Sequence, residues 1–282
     1  MKLGKKILGA IAATLVCASA SAFVLPTGIG FTAGAQAEDI DVDWFIDSDG
    51  SGGISVGDRL VSVFEFGNIN DILAANGTVP TQTLNQAIDE LVGVADVTVT
   101  SIVGTRVNLG ATAGTSAITV FSGGGLIDLD INTFANCTSL ATCLAAATDG
   151  NPWAEFSFLD ADDEWYFNAI ISGDPTIIAG LPGSSIAGIV NFAVSLVPGS
   201  NFSGYSFADQ DLSCLVFACA GDGRTDLVGN SLVLGGQGLP QGLGAFARTD
   251  TDVQVNVVPE PASLALLGIG LLGLASRRVW KR

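Results

Sequence analysis

Val97-Thr98-Val99-Thr100-Ser101-Ile102-Val103 alternates apolar and polar side chains with a period of two. That period places one set of side chains on each face of an extended strand, one toward a core and one toward water. The same rhythm recurs along the chain. Asp41-Val42-Asp43-Trp44-Phe45-Ile46 and Leu60-Val61-Ser62-Val63-Phe64-Glu65-Phe66 precede it. Leu126 to Asn132, Ala154 to Leu159, Trp165 to Ile171, Ile189 to Val197, Ser231 to Leu234 and Val253 to Val257 follow. Clusters of Gly, Ser, Asp and Pro separate them. Many short strands at regular spacing predict a mainly β chain, a single sandwich- or barrel-like domain with one or two short helices. Antiparallel pairing with one wet face accounts for the alternation. For one helix, Thr83 is an N-cap and Gln86 completes a capping box, with Leu84, Ile88, Leu91 and Val92 as an apolar stripe and Gly93 as the stop. A second short helix is expected from Thr138 to Ala147, ending at Asp149-Gly150.

The charge distribution narrows the function. Charged residues are 14% of 282, against roughly 25% in an average soluble protein, and there is no His. His-based triads, His-ligated zinc and imidazole acid/base chemistry are therefore excluded. Residues 38–257 hold 27 acids against four bases (Arg59, Arg106, Arg224 and Arg248), a net of −23, and no Lys. Nucleic-acid binding needs clustered cations, so no nucleic-acid partner is expected. The small partners of such a domain are expected to be cations.

Both ends read as addresses. Lys2, Lys5 and Lys6 precede an apolar run from Ile7 to Ala18, and two small-x-small sites follow. This is the pattern of a secretory signal peptide within residues 1–37, cut after Ala22 or after Ala37. At the other end, Pro259-Glu260-Pro261 is followed by the Leu/Gly-rich stretch Ala262 to Ala275 and by Arg277, Arg278, Lys281 and Arg282. With its flanks that stretch is just long enough to cross a bilayer, leaving the cations on the cytoplasmic side. Residues 258–282 resemble the PEP-CTERM sorting signal of Gram-negative bacteria, carried here by Pro259, Glu260, Pro261, the apolar helix, Arg277 and Arg278. The resemblance implies transient recognition by an exosortase at the inner membrane. It also implies export to the cell surface or extracellular matrix, alongside exopolysaccharide. It leaves the fold of the acidic domain at 38–257 open.

Cys137, Cys143, Cys214 and Cys219 form two close pairs in an exported chain, which argues for disulfides. Three connectivities exist. Close spacing favours local pairing, and a zinc site of four thiolates is the rival.

The strongest chemical motif is Asp47-Ser48-Asp49-Gly50-Ser51-Gly52-Gly53-Ile54-Ser55-Val56-Gly57-Asp58. Asp47, Asp49 and Ser51 fall at positions one, three and five of a twelve-residue loop. Gly52 stands at the turn, the Gly53 carbonyl at seven, apolar Ile54 at eight, Ser55 at nine and Asp58 at twelve. This resembles the Ca²⁺ loop of EF-hand and dockerin-type repeats, where alternate residues aim hard oxygens inward. Asp at position twelve replaces the longer Glu, and the flanks read as strands rather than helices. The expected cofactor is Ca²⁺, in a loop joining two strands. Asp39, Asp41 and Asp43, just upstream, read as the solvated face of a strand.

Three function classes remain. The expected one is a non-enzymatic surface or matrix protein, structural or adhesive in biofilm or floc formation, with extracellular polysaccharide as partner. A calcium-dependent carbohydrate-binding or docking module is the alternative, with Trp44, Trp153 and Trp165 as candidate stacking rings, although core or strand-edge packing is the commoner fate of Trp. A polysaccharide hydrolase would need a carboxylate pair such as one drawn from Asp160-Ala161-Asp162-Asp163-Glu164.

Overall fold

In the computed structural model the residues described are 35–71, 81–84, 90–124, 127, 136–169, 188–203, 206–207, 227–235, 244–245, 247–255 and 257–258. Their strands are β1 (Ala35–Ile46), β2 (Arg59–Asp71), β3 (Thr81–Thr83), β4 (Leu91–Val103), β5 (Arg106–Ala111), β6 (Ile118–Ser122), β7 (Asn151–Ser157), β8 (Glu164–Ala169), β9 (Gly188–Leu196), β10 (Ser206–Phe207), β11 (Leu227–Gly235), β12 (Arg248–Val255) and β13 (Val257–Val258). The helix α1 is Leu140–Ala147.

Eight of these strands close on themselves in the order β1-β2-β4-β5-β8-β9-β11-β12, every neighbour antiparallel. Closure removes the exposed edges that an open sheet leaves unpaired. β6 and β7 make a second bridge between β4 and β9, beside β5–β8. β3 extends β2, and β10 pairs with β13.

Alternation decides what each wall shows to the interior. Val97 and Val99 of β4, Val107 and Leu109 of β5, Trp165 of β8 and Phe192 and Val194 of β9 point into one apolar core. The outer face carries Asp96, bonded to Arg59 through Nε at 2.8 Å, and Arg106, bonded to Glu164 at 2.6 Å. The Arg106 guanidinium also lies 3.6 Å over the Tyr166 ring. Among the described residues no helix is long and apolar enough to cross a membrane.

Strand glycines make room for the aromatic core. Phe64 stands opposite Gly93, and Phe192 opposite Gly229. A Cβ at Gly93 would come within 1.9 Å of Phe64 Cζ, and one at Gly229 within 2.1 Å of Phe192 Cζ. Each ring lies across the bare backbone of its neighbour.

Gly93 therefore does not stop a helix. Leu91, Val92 and Gly93, expected at a helix C-terminus, lie inside β4. Their strip continues into the period-two run Val94 to Val103, and pairing with β2 outweighs the local helical signal. Residues 85–89 of that expected helix lie outside the described residues, as do residues 126 and 128–132 of an expected strand. The second helix is present. Ser139 caps α1, its hydroxyl taking the Thr142 N–H while the Thr142 hydroxyl takes the Ser139 N–H.

α1 covers the outside of β1, β2 and β4. Val42, Trp44, Val63 and Val92 meet Cys143 and Ala147 there in a second apolar cluster. Cys137 and Cys143 are joined by a disulfide with Cα atoms 4.3 Å apart, tying the residues before α1 to its first turn.

Candidate functional site

The β1–β2 hairpin is closed by residues 47–58, so strands flank the loop as expected. Asp47 organises its first half. One of its oxygens accepts the Gly50 N–H at 2.7 Å and the Ser51 N–H at 3.1 Å, and the other accepts the Gly52 N–H at 2.7 Å. That tight curl needs positive φ at Gly50 (72°) and Gly52 (76°), where a side chain would be strained. Ile54 then drops into the barrel core and anchors the loop.

Asp58 organises the second half. It is fully buried and accepts the Ser48 N–H at 2.8 Å and the Ser55 N–H at 2.6 Å. Two bonds to β4 clamp the loop's exit: Gly57 N–H to the Val99 carbonyl and Val99 N–H to the Asp58 carbonyl. The Ser55 hydroxyl bridges the two halves, 2.9 Å from Asp49 and 3.0 Å from Asp58. The Ser51 hydroxyl donates to the Gly53 carbonyl at 3.1 Å.

One carboxylate oxygen each from Asp47, Asp49 and Asp58 lies within 4.8 Å of the others. The Ser51 and Ser55 hydroxyls hold the exposed Asp49 carboxyl down to about 2, so it is charged throughout the neutral range. The structure thus gathers Asp47, Asp49, Ser51, Gly53, Ser55 and Asp58 into one short loop. All are hard oxygen donors of the kind Ca²⁺ takes, and a divalent ion would relieve the repulsion among three carboxylates. Each Asp58 oxygen accepts a backbone N–H.

Of the cysteines, Cys137 and Cys143 are bonded to each other, which rules out a zinc site of four thiolates. Cys214 and Cys219 lie outside the described residues. Trp44, Trp153 and Trp165 are buried and cannot present faces to a polysaccharide. In the 160–164 turn, Asp163 accepts the Leu159 and Asp160 N–H groups and the Ser195 hydroxyl, and Glu164 is held by Arg106. These carboxylates shape a turn.

Asp39, Asp41 and Asp43 overturn the sequence reading. Each is 5% exposed or less, and all three line the barrel interior. Their solvation is replaced by β12. The Thr251 N–H donates to Asp39 at 3.0 Å, the Thr249 N–H to Asp41 at 2.5 Å and the Thr249 hydroxyl to Asp43 at 3.0 Å. Loss of water pushes the Asp41 carboxyl up to about 6, against the lowering effect of the threonine donors. Burial and the neighbouring Asp41 raise Asp39 and Asp43 well above the ordinary carboxylate range. Alternation alone assigns the two faces of β1 symmetrically. The signal that could have found them is Val42 and Trp44, an apolar pair that a helix covers on the opposite face.

Pro259, Glu260, Pro261, Arg277, Arg278 and the expected transmembrane helix lie outside the described residues; the last strand, β13, ends at Val258. Residues 257–279 match the family description of the PEP-CTERM protein-sorting motif. No curated protein and no solved structure matches the chain. The motif supports an exported, surface-directed protein of Gram-negative type that an exosortase recognises transiently.

Proposed function

We propose that this chain is a non-enzymatic cell-surface or extracellular-matrix protein that works alongside exopolysaccharide in biofilm or floc formation, with Ca²⁺ ordering its 47–58 loop. The sorting motif at 257–279 carries the reading. The acidic domain supports it, because divalent cations screen such a surface and bridge it to acidic polymers. The loop supports the Ca²⁺ assignment through its three converging carboxylates and its oxygen-only donor set. Extracellular Ca²⁺ fills even a millimolar-class site.

We place signal cleavage after Ala22. Cutting after Ala37 would remove residues 35–37, which pair with both β2 and β12 and include the fully buried Ala37.

Two experiments test the reading. Deleting the exosortase gene should leave the unprocessed protein in the inner membrane and empty the matrix of it; unchanged surface delivery would refute the sorting assignment. Titrating Ca²⁺ into protein stripped with a chelator should raise the melting temperature, and Asp47→Ala with Asp49→Ala should abolish that rise. An equal rise in the double variant would refute the loop as the site.

A further inference from the structure

One wall of the barrel is acidic, and the others carry apolar side chains and hydroxyls but no further carboxylate among the described residues. Asp39, Asp41 and Asp43 recur at every second residue of β1, so they form a row with steps of roughly 7 Å. The polar groups that the neighbouring strands add to this lining are all hydroxyls: Ser62 of β2, Ser231 of β11, and Thr249 and Thr251 of β12. No cation among the described residues lines this space. Arg59 and Arg106 are engaged outside with Asp96 and Glu164. Arg248 alternates outward between buried Ala247 and Thr249, and its positive charge reaches Asp41 only as a field.

Behind the row lies a cavity of about 100 Å³, closed on its far sides by aromatic rings that include Phe64, Phe156, Trp165 and Phe192. Trp165 is 7% exposed, and its indole N–H has no hydrogen-bond partner among the described residues. A buried donor of that kind costs about 1–3 kcal/mol when left unmet. A single metal ion does not suit the row. Ligands must converge on a metal, and among the described residues only Asp47, Asp49 and Asp58 bring three carboxylate oxygens within 4.8 Å.

We propose that the barrel interior binds a small organic amine: its ammonium group on the Asp39–Asp41–Asp43 row, its apolar body among the aromatic rings, and an acceptor atom toward the Trp165 N–H. Charge complementarity selects the cation. A buried carboxylate row whose nearest cation, Arg248, stays outside the cavity is costly, and an ammonium against it is favoured both by the acids and by the ring faces. The volume limits the size: about 100 Å³ is smaller than the ~150 Å³ cavity that accepts benzene, so the body is a short aliphatic one. This proposal is independent of the calcium loop and of the sorting tail.

The test is calorimetric titration of the whole protein at pH 7.5 in chelator with three near-isosteres: 4-aminobutan-1-ol, butane-1,4-diol and 4-hydroxybutyrate. The amine should bind at least about tenfold more tightly than the diol, and the acid should not bind. Asp41→Asn should weaken the amine by about tenfold or more and leave the diol unchanged; Trp165→Phe should weaken both by about fivefold. Asp47→Ala with Asp49→Ala should bind the amine as the parent does. Near-ultraviolet circular dichroism establishes that each variant is folded. Should Asp41→Asn not fold, the parent still decides, because amine affinity must fall as pH drops through about 6 while diol affinity holds. Equal binding of all three isosteres, or no binding of the amine, overturns the proposal.

Discussion

The β1–β2 hairpin contains two aspartate trios that differ only in place. Asp39, Asp41 and Asp43 sit on β1 and face inward, while Asp47, Asp49 and Asp58 sit on the connecting loop. The first trio is dry and its carboxyls are pushed up; in the second, Asp49 is wet and held down to about 2. Identical chemistry thus gives opposite electrostatics. Water and short local hydrogen bonds stabilise charge in the loop, and their loss destabilises it inside the barrel. A loop builds its donors from its own sequence, whereas a barrel wall receives its donors from β12, some two hundred residues away.

The contrast can be broken from several sides. The largest effect is expected at Asp58, the one loop carboxylate that is fully buried. Asp58→Ala removes the acceptor of the Ser48 N–H, the Ser55 N–H and the Ser55 hydroxyl, and should cost about 3 kcal/mol or more in urea unfolding even with no Ca²⁺ present. A loss as small as that of an exposed residue would show that the loop folds without its anchor.

Next comes the pH profile. In the native state Asp41 keeps its proton up to about 6, whereas the unfolded chain releases it near 3.8. The folded form therefore binds more protons in that window, and stability falls as pH rises through it, by an amount on the order of 3 kcal/mol. Asp39 and Asp43 act in the same direction. Asp49 acts oppositely: its contribution is complete above about 4 and is lost as pH falls toward 2. Melting curves in chelator should peak near pH 4 and decline toward 7. The triple variant Asp39→Asn, Asp41→Asn, Asp43→Asn should flatten that decline; an unaltered decline would show that other groups set it.

The smallest effect sharpens the distinction. Asp49→Asn should lower the chelator melting temperature only slightly, because its bonds to Ser51 and Ser55 are exposed to water, while clearly reducing the Ca²⁺-dependent rise. A large loss without Ca²⁺ would mean that Asp49 is structural.

Much of this was legible beforehand. Period two marked β4, β7, β8, β9, β11 and β12, because strand periodicity is a local property. The loop was equally legible, since its ligand candidates, glycines and apolar anchor lie within twelve residues. The sorting tail was legible for the same reason. The helix expected across Leu91 and Val92 was not, because its stripe also fits a strand once β2 lies beside it. The abundance of glycine likewise acquired a meaning only when Phe64 and Phe192 were found lying across Gly93 and Gly229.

By itself, then, the sequence determined what is written within a dozen neighbouring residues: most of the long strands, though not β5 or β6, the span of α1, the acidic loop and the terminal sorting motif. Tertiary structure alone decided which face of β1 is inside. Alternation is symmetric about the strand axis, and the choice was made when α1 and its disulfide covered Val42 and Trp44 and closure of the barrel enclosed the three aspartates.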